Sequence, residues 1–470
     1  MLIRNEQLGE KAYIKMATIM QTKNKNIFWK SEDDQTKQTV IQGFRTLYKD
    51  NKIILNKSKE NTEIMLNTLE LIEKNYNTTN IEPPYKPKSK AKDIYGISQR
   101  KILELIKGEN LAETINKFRW FIKTVSPDKD SNLVLHNISK IILKRKKNEI
   151  NGYEDLRAIS IMPANIMVFD KIIATVIDKE IKEQMSNNQH GARQYHGTNT
   201  AKISLLYKMK TEGYNKILLI DLKKAFDLLD RATLKNDIIK KFKMSTTTNI
   251  LLNIIKIYES INIYVEQETI HPTRGVPQGS VFGPTLFLIS IDEVLKQLEQ
   301  NTNIHIQAFV DDIAIAGKEL NEIQNTYNKL KHMIKEKSME INIEKCELLS
   351  NNLEDTIIDH ETNISIKTVS HAKYLGQIIN NESQTEEVIL RHNYQSIYQL
   401  IKISQTYITT RSRIKLFKVF IKSKYNHLLP LIAINGKIEI TWKEIRKTIF
   451  NDILKKSTQP KEAAELLGCS

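Results

Sequence analysis

A chain of 470 residues, 40% of them hydrophobic, can bury sizeable cores and suggests about three structural units of roughly 150 residues each. Two cysteines, Cys346 and Cys469, exclude a disulfide framework or a cysteine-rich zinc module, and fit a reducing, intracellular setting. The net charge of +16 and pI near 9.3 suit a polyanionic partner, because Lys and Arg neutralise phosphates and release counterions. Heavy use of Asn, Ile and Lys together raises the lysine content by itself, so charge alone does not settle the partner. No apolar run reaches the roughly 18–20 residues of a membrane span, so no membrane partner is expected. The first residues lack the apolar core of a secretory signal, and no repeat of about 20–50 residues is present.

In chain order, residues 1–76 read as a helical extension, with apolar residues at helical spacing around Phe44 and over 64–72. Phe28-Trp29 reads as a packing anchor. Prolines and lysines mark 77–93 as a stiff, extended linker. A helical pattern resumes over 98–123. The apolar run 138–143 ends in Lys144-Arg145-Lys146-Lys147 and leads to Tyr153-Glu154-Asp155-Leu156-Arg157-Ala158-Ile159-Ser160. Residues 169–181 read as a helix. His190 and His196 follow without a third ligand at zinc spacing, and read as polar loop residues. Residues 216–222 are a buried-strand pattern ending around Asp221. A helix then runs to about Phe242, with Asp227 and Asp230 as capping or surface carboxylates. Residues 251–264 read as helix then strand. Gly275-Val276-Pro277-Gln278-Gly279-Ser280 opens a helix over 281–298. Its glycines allow close approach, and its serine and helix-start amides suit an anionic or sugar partner. Residues 304–309 and 313–316 predict a hairpin with Asp311-Asp312 at its turn. A helix over 320–337 follows, and helices are expected over 386–401, 411–425 and 442–454.

A turn aspartate commonly does no more than hydrogen-bond its own backbone. An aspartate in an apolar strand, however, needs a partner, because a buried unpaired charge is costly. Asp221 with Asp311 and Asp312 makes a plausible cage for a hard divalent cation, since magnesium takes carboxylate and phosphate oxygens and keeps few protein ligands. Three motifs stand in order: Asp221-Leu222-Lys223-Lys224-Ala225-Phe226-Asp227, Gly275-Val276-Pro277-Gln278-Gly279-Ser280 and Phe309-Val310-Asp311-Asp312. Ordered and spaced in this way they resemble successive palm motifs of a reverse transcriptase, in the dialect of non-LTR (LINE-type) retrotransposons.

The resemblance implies an α+β, right-hand polymerase: fingers over 94–215, a palm with an antiparallel sheet over 216–380, a helical thumb over 381–440, and a C-terminal helix and tail over 441–470. Its conserved core would cover 138–380. The segment at Arg157 resembles a fingers motif usually written Arg-Pro-Ile-Ser, with Ala158 for proline. By position, Lys144 and Arg157 would grip the incoming triphosphate, although Lys144 also reads as part of a solvated charge run. Gln189-His190-Gly191-Ala192-Arg193 resembles a template-contacting segment, with Ala192 for an aromatic and Arg193 as the candidate. Phe226 matches the steric gate that excludes a ribose 2′-hydroxyl, and Gln278 packs near the nucleotide. Lys345 could protonate departing pyrophosphate, and Tyr374, Leu375 and Gly376 match the primer grip. The resemblance further implies two magnesium ions, with manganese a candidate substitute, shared by Asp221, Asp311 and the triphosphate, and with Asp312 in support. It implies an RNA template, a DNA primer, their hybrid and dNTPs as partners, and nuclear action. Protein partners are unassigned. Two rival expectations are a retired, RNA-binding relative and a group II intron-type maturase, which would carry a maturase domain after the thumb. No endonuclease or cysteine–histidine knuckle is visible, so the chain reads as the polymerase part of an element, a decayed copy or a freestanding polymerase.

Overall fold

The computed structural model describes residues 34–50, 58–85, 91–125, 137–146 and 149–380. The expected thumb, the C-terminal helices and Phe28-Trp29 lie outside the described residues.

Among the described residues four helices come first: α1 (Asp34–Leu47), α2 (Ser58–Asn75), α3 (Gln99–Ile106) and α4 (Leu111–Val125). The single helical pattern expected over 98–123 is two helices. Ser98 caps α3 by accepting the Lys101 N–H, and Lys107 leaves helical geometry at its end. The expected extended linker is tied down on both sides. The Leu111 N–H donates to the Ile81 carbonyl at 2.8 Å, and the Asp93 carboxylate accepts the Ala164 N–H at 3.0 Å. That second contact caps α5 (Ala164–Glu183), whose first amides have no helical partner of their own.

Two strands, β1 (Ile138–Arg145) and β2 (Leu156–Ile161), form the hairpin expected of the fingers. Next come α6 (Thr198–Glu212), β3 (Lys216–Ile220), β4 (Leu222–Lys223), the short α7 (Ala225–Leu228), α8 (Arg231–Phe242) and α9 (Thr246–Glu259). The strands β5 (Asn262–Val265) and β6 (Glu268–Ile270) then differ from the expected boundary at 216. They extend the fingers hairpin into a sheet of order β2-β1-β5-β6 rather than joining the palm. The cause is apolar. Ile263, Val265 and Ile270 close a core with Ile141, Leu143, Leu156 and Ala158, roofed by Val40, Phe44, Leu47 and Tyr48 of the N-terminal segment. Ala158 pairs with Leu143 in this ladder, a place where alanine keeps the backbone amide that proline lacks.

The remaining elements are α10 (Gly283–Leu298), β7 (Ile304–Phe309), β8 (Asp312–Gly317), α11 (Leu320–Glu336), β9 (Glu340–Ile341), β10 (Glu347–Leu349), β11 (Ile357–Asp359), β12 (Ile364–Val369), β13 (His371–Tyr374) and β14 (Gln377–Asn380). They complete a palm sheet of order β11-β12-β10-β3-β8-β7. Its pairs are antiparallel except β10 with β12, so the expected antiparallel sheet is mixed near one edge. The central β3 is buried on both faces, which explains its unbroken apolar run. Leu218, Ile220, Ile313 and Ile315 face the large core shared with α5 and α10. Ile217, Leu219, Ala314 and Ala316 face Leu205 of α6 and the β13–β14 hairpin.

Candidate active site

The register of β3 against β8 joins what the sequence holds far apart. Ile220 pairs with Ile313, so Asp221, just past the end of β3, stands beside Asp312, which opens β8. Phe309 pairs with Asp312 across β7 and β8, which leaves Val310 and Asp311 as a two-residue turn. The aspartate pair therefore straddles the turn instead of forming it. Val310 has φ +60°, a conformation that β-branched residues rarely adopt and that costs on the order of 1–3 kcal/mol.

What holds that turn is Gln189, which is 1% exposed. Its Oε1 accepts the Val310 N–H at 3.0 Å and the Gly191 N–H at 2.8 Å. The His190 N–H donates to the Ala308 carbonyl, and the Ala308 N–H to Asn188, both at 2.8 Å. At Gly191 a Cβ would lie 2.5 Å from the Val310 nitrogen, so only glycine lets the loop come this close. The segment whose resemblance pointed to template contact thus props up the carboxylate turn. Arg193 staples the same loop, donating to the Ser186 and Gln189 carbonyls. His190 is a polar loop residue as expected, but a buried one, its Nδ1 paired with the Thr200 hydroxyl at 3.1 Å, and burial holds its ring down at about 4, hence neutral.

The carboxylates crowd one another. Burial, then the charges of Asp311 and Asp221, push Asp312 up to about 6. Burial, with Asp221 among the further causes, also raises Asp311, while Arg157 and Lys345 pull it down. Asp221 turns to its own neighbours: Lys345 Nζ donates to its Oδ2 at 3.1 Å and Asn342 Nδ2 at 3.2 Å. Asn342 also fixes the strand end, its N–H donating to the Asp221 carbonyl at 2.8 Å, a role no local pattern announced.

The fingers hairpin supplies the facing cations. Lys144 and Arg157 are direct cross-strand partners. Lys146, two residues beyond Lys144, also enters the field of the site. Burial lowers its amine first, then repulsion from Lys345 and Arg157, with Asp227 and Asp221 opposing.

The Phe226 turn is more tightly built than its sequence suggested. The Phe226 ring stacks on Phe287 of α10 with centroids 4.7 Å apart, and its carbonyl accepts the Val276 N–H at 2.8 Å. Asp230 caps α8 as expected, accepting the Thr233 N–H. Asp227 is neither cap nor surface: it is 8% exposed and accepts the Tyr48 hydroxyl at 2.8 Å. Gly275, at φ +81°, presses against the Asp227 backbone, where a Cβ would lie 2.6 Å from the carbonyl oxygen. The Gln278 carbonyl accepts the Ser160 N–H at 2.7 Å and so welds this loop to β2. Ser280, expected to face an anion or sugar, is instead buried. Its hydroxyl donates to Pro277 and accepts the Gly283 N–H at the start of α10.

Tyr374 of the expected primer grip points inward, its hydroxyl accepting from Gln307 at 2.7 Å. Leu375 and Gly376 form the turn between β13 and β14, with Gly376 exposed. Cys346 is a buried free thiol, pushed up to about 11 by burial, hence unreactive.

Among the described residues no group of three or more His, Cys, Asp or Glu side chains could by itself hold a metal ion. The three aspartates share one sheet edge, but Asp221 is drawn toward Lys345 and Asn342. The donor set nevertheless fits a hard divalent cation: carboxylate oxygens only, under mutual repulsion that a cation would relieve, with further ligands left to a substrate's oxygens.

The sequence model of the reverse transcriptase (RNA-dependent DNA polymerase) family matches residues 144–379, half of the chain, from Lys144 to the β13–β14 hairpin. The chain is 25% identical over 276 residues to the retrovirus-related Pol polyprotein from the type-1 retrotransposable element R2 of Nasonia vitripennis. That match covers 53% of this chain and 26% of the relative, so the chain spans about a quarter of the length of this curated relative. Similar solved structures include telomerase from Candida albicans with a fragment of telomeric RNA (12% identity, TM-score 0.37, covering 71% of this chain and 61% of that one). Apo telomerase from Candida tropicalis is another (14% identity, TM-score 0.39, 73% and 69%). With Asp221, Asp311 and Asp312 gathered at one end of the β3–β8 pair, and with half its length matched, the chain belongs to the reverse transcriptase (RNA-dependent DNA polymerase) family.

Proposed function

We propose that this chain is an RNA-directed DNA polymerase of the non-LTR retrotransposon kind, extending a primer with dNTPs on an RNA template. One observation carries the reading: the β3–β8 register brings Asp221 beside Asp311 and Asp312, facing the cations of the β1–β2 hairpin. The R2 relative supports the retrotransposon assignment.

Asp221 and Asp311 would hold the divalent cations, magnesium with manganese as a substitute, with Asp312 in support. When bound, such cations neutralise charge on the attacking and leaving oxygens. Arg157 and Lys144, joined by Lys146, bind the triphosphate as fork and point charges. Phe226 fills the space a ribose 2′-hydroxyl would need, and Gln278 lines the same pocket. Lys345 donates to Asp221 at the rim of the site, from where its ammonium could give a proton to departing pyrophosphate. Positioning and charge neutralisation supply most of the acceleration in such a transfer. Arg193 acts on the template side through the loop it holds. The β13–β14 turn meets the primer.

The test is primer extension. Purified protein receives a primed RNA template, a divalent cation and either dNTPs or rNTPs, beside Asp221→Ala. The reading expects DNA product that the variant fails to make. RNA binding without product, or rNTP product in preference, contradicts it.

A further inference from the structure

The last turn of α1 and the residues just after it, 44–50, run as a belt along the loop that precedes α10. The Thr273 N–H donates to the Tyr48 carbonyl at 3.0 Å, and Arg274 Nε to the Leu47 carbonyl at 2.6 Å. The His271 N–H donates to the Asp50 carboxylate at 3.0 Å, and Arg45 pairs with Asp50 and, at 3.1 Å, with Glu268. The belt reaches the Phe226 turn through one buried contact, the Tyr48 hydroxyl donating to Asp227.

Apart from the Phe287 stack and the Val276 hydrogen bond, the turn is held from its two flanks. The helix α7 has four residues, too few to be stable by its own hydrogen bonds. Its entry residue Lys224 is left-handed, φ +39°. The Lys224 ammonium donates to the Tyr153 and Leu156 carbonyls and lies over the Phe44 ring at 5.4 Å and the Tyr153 ring at 4.7 Å. Leu228, at its other end, is buried in the core that α1 roofs. Phe226 lies between these anchors and next to Asp227, and the anchors converge on the N-terminal segment or on the hairpin it covers.

We propose that the belt 44–50 sets the sugar specificity of the site, with Tyr48 as a positioning residue that, through Asp227, keeps the Phe226 ring where it excludes a 2′-hydroxyl. The inference rests on the DNA polymerase reading and extends it to a segment outside the matched family region. Without the hydroxyl, the buried Asp227 carboxylate loses its fixed donor and is left to the attraction of the surrounding cations, Lys224 first. A rotation of α7 by a fraction of a turn moves the ring directly.

The experiment measures single-nucleotide insertion by the full chain and compares kcat/KM for a dNTP with that for the matching rNTP. Tyr48→Phe keeps the ring that stacks on Phe44 and removes only the oxygen. Ile72→Ala, in the core of α2 and away from Tyr48, serves as a destabilised control, with Tm recorded for each protein. Tyr48→Phe is expected to lower the dNTP preference about tenfold, the scale of one lost hydrogen bond, while Ile72→Ala lowers Tm and keeps the wild-type preference. An unchanged preference in Tyr48→Phe overturns the inference and leaves the polymerase reading standing. Equal shifts in both variants also overturn it, since the ratio would then report stability alone. A wild-type chain that inserts no dNTP overturns the polymerase reading and this inference with it.

Discussion

The Asp311 turn and the Phe226 turn flank one site and are held by opposite means. The first is braced by a neutral amide, Gln189, and by sheet register, while its carboxylates repel one another. Cations reach it from the rim: Arg157, and Lys345, whose side chain is 62% exposed. The second is braced by buried charges that answer one another internally. Asp227 takes the Tyr48 hydroxyl and the field of Lys224, and Arg231 gives its guanidinium to the Gly275 and Pro272 carbonyls. On the function proposed here, the turn that would bind a cation keeps its negative charge uncompensated. A turn that has only to keep its shape compensates its own. Neutral bracing matters at the first turn because a charged brace would either neutralise the carboxylates or repel them.

The contrast is tested most severely at the uncompensated turn. Asp311→Asn is expected to cut single-nucleotide insertion by about 1000-fold or more while Tm holds or rises, because removing one charge relieves crowding. A fall in Tm would mean that the charge is compensated after all. Gln189→Leu comes next. The Val310 and Gly191 amides lose their acceptor and the strained turn relaxes, so kcat should fall about 100-fold with KM for dNTP nearly unchanged. A change confined to KM would move Gln189 from the carboxylates to the substrate.

At the compensated turn the expected effect is on stability. Lys224→Met leaves the Tyr153 and Leu156 carbonyls and Asp227 without their cation, and should cost about 1–3 kcal/mol in a urea titration. Neutral stability in that variant would erase the distinction. The smallest effect is pH-dependent. Asp312 in the folded chain is raised from 3.8 to about 6, so between those values the native state binds more protons than the unfolded one. Without divalent cation, its contribution therefore favours folding most at low pH and is lost as pH rises through about 6. Solvent screening keeps it below about 1 kcal/mol. Asp312→Asn should thus stabilise the metal-free protein slightly at pH 7 relative to pH 5, read as the shift in urea midpoint.

The two turns also differ in how far the sequence reveals them. β7, β8 and the two aspartates are local features: apolar runs of strand length around a charged pair. Only the placement of the turn was off by one, because Val310 adopts a left-handed conformation that a β-branched residue does not advertise. Gln189 and Gly191 were visible as a motif, but their task depends on packing against β7, which no local pattern encodes. The belt was not legible at all. Its contacts tie residues 44–50 to 227 and 268–274, and each residue alone looks like an ordinary amphipathic helix end. Asp227 was misread for the same reason: a carboxylate beside a short helix looks like a cap until the Tyr48 hydroxyl is found on it. Chain order places β5 and β6 with the palm, whereas their apolar faces belong to the core under α1.

The central claim is that Asp221 and Asp311 act as one unit because the β3–β8 register places them together. The most direct measurement is dNTP insertion on a primed RNA template by the wild type, Asp221→Ala, Asp311→Asn and the double variant. Residues that work as a unit are strongly non-additive, so each single variant should lose nearly all activity and the double should be no worse than either. Multiplying losses in the double variant, or insertion that survives either single change, would contradict the shared site.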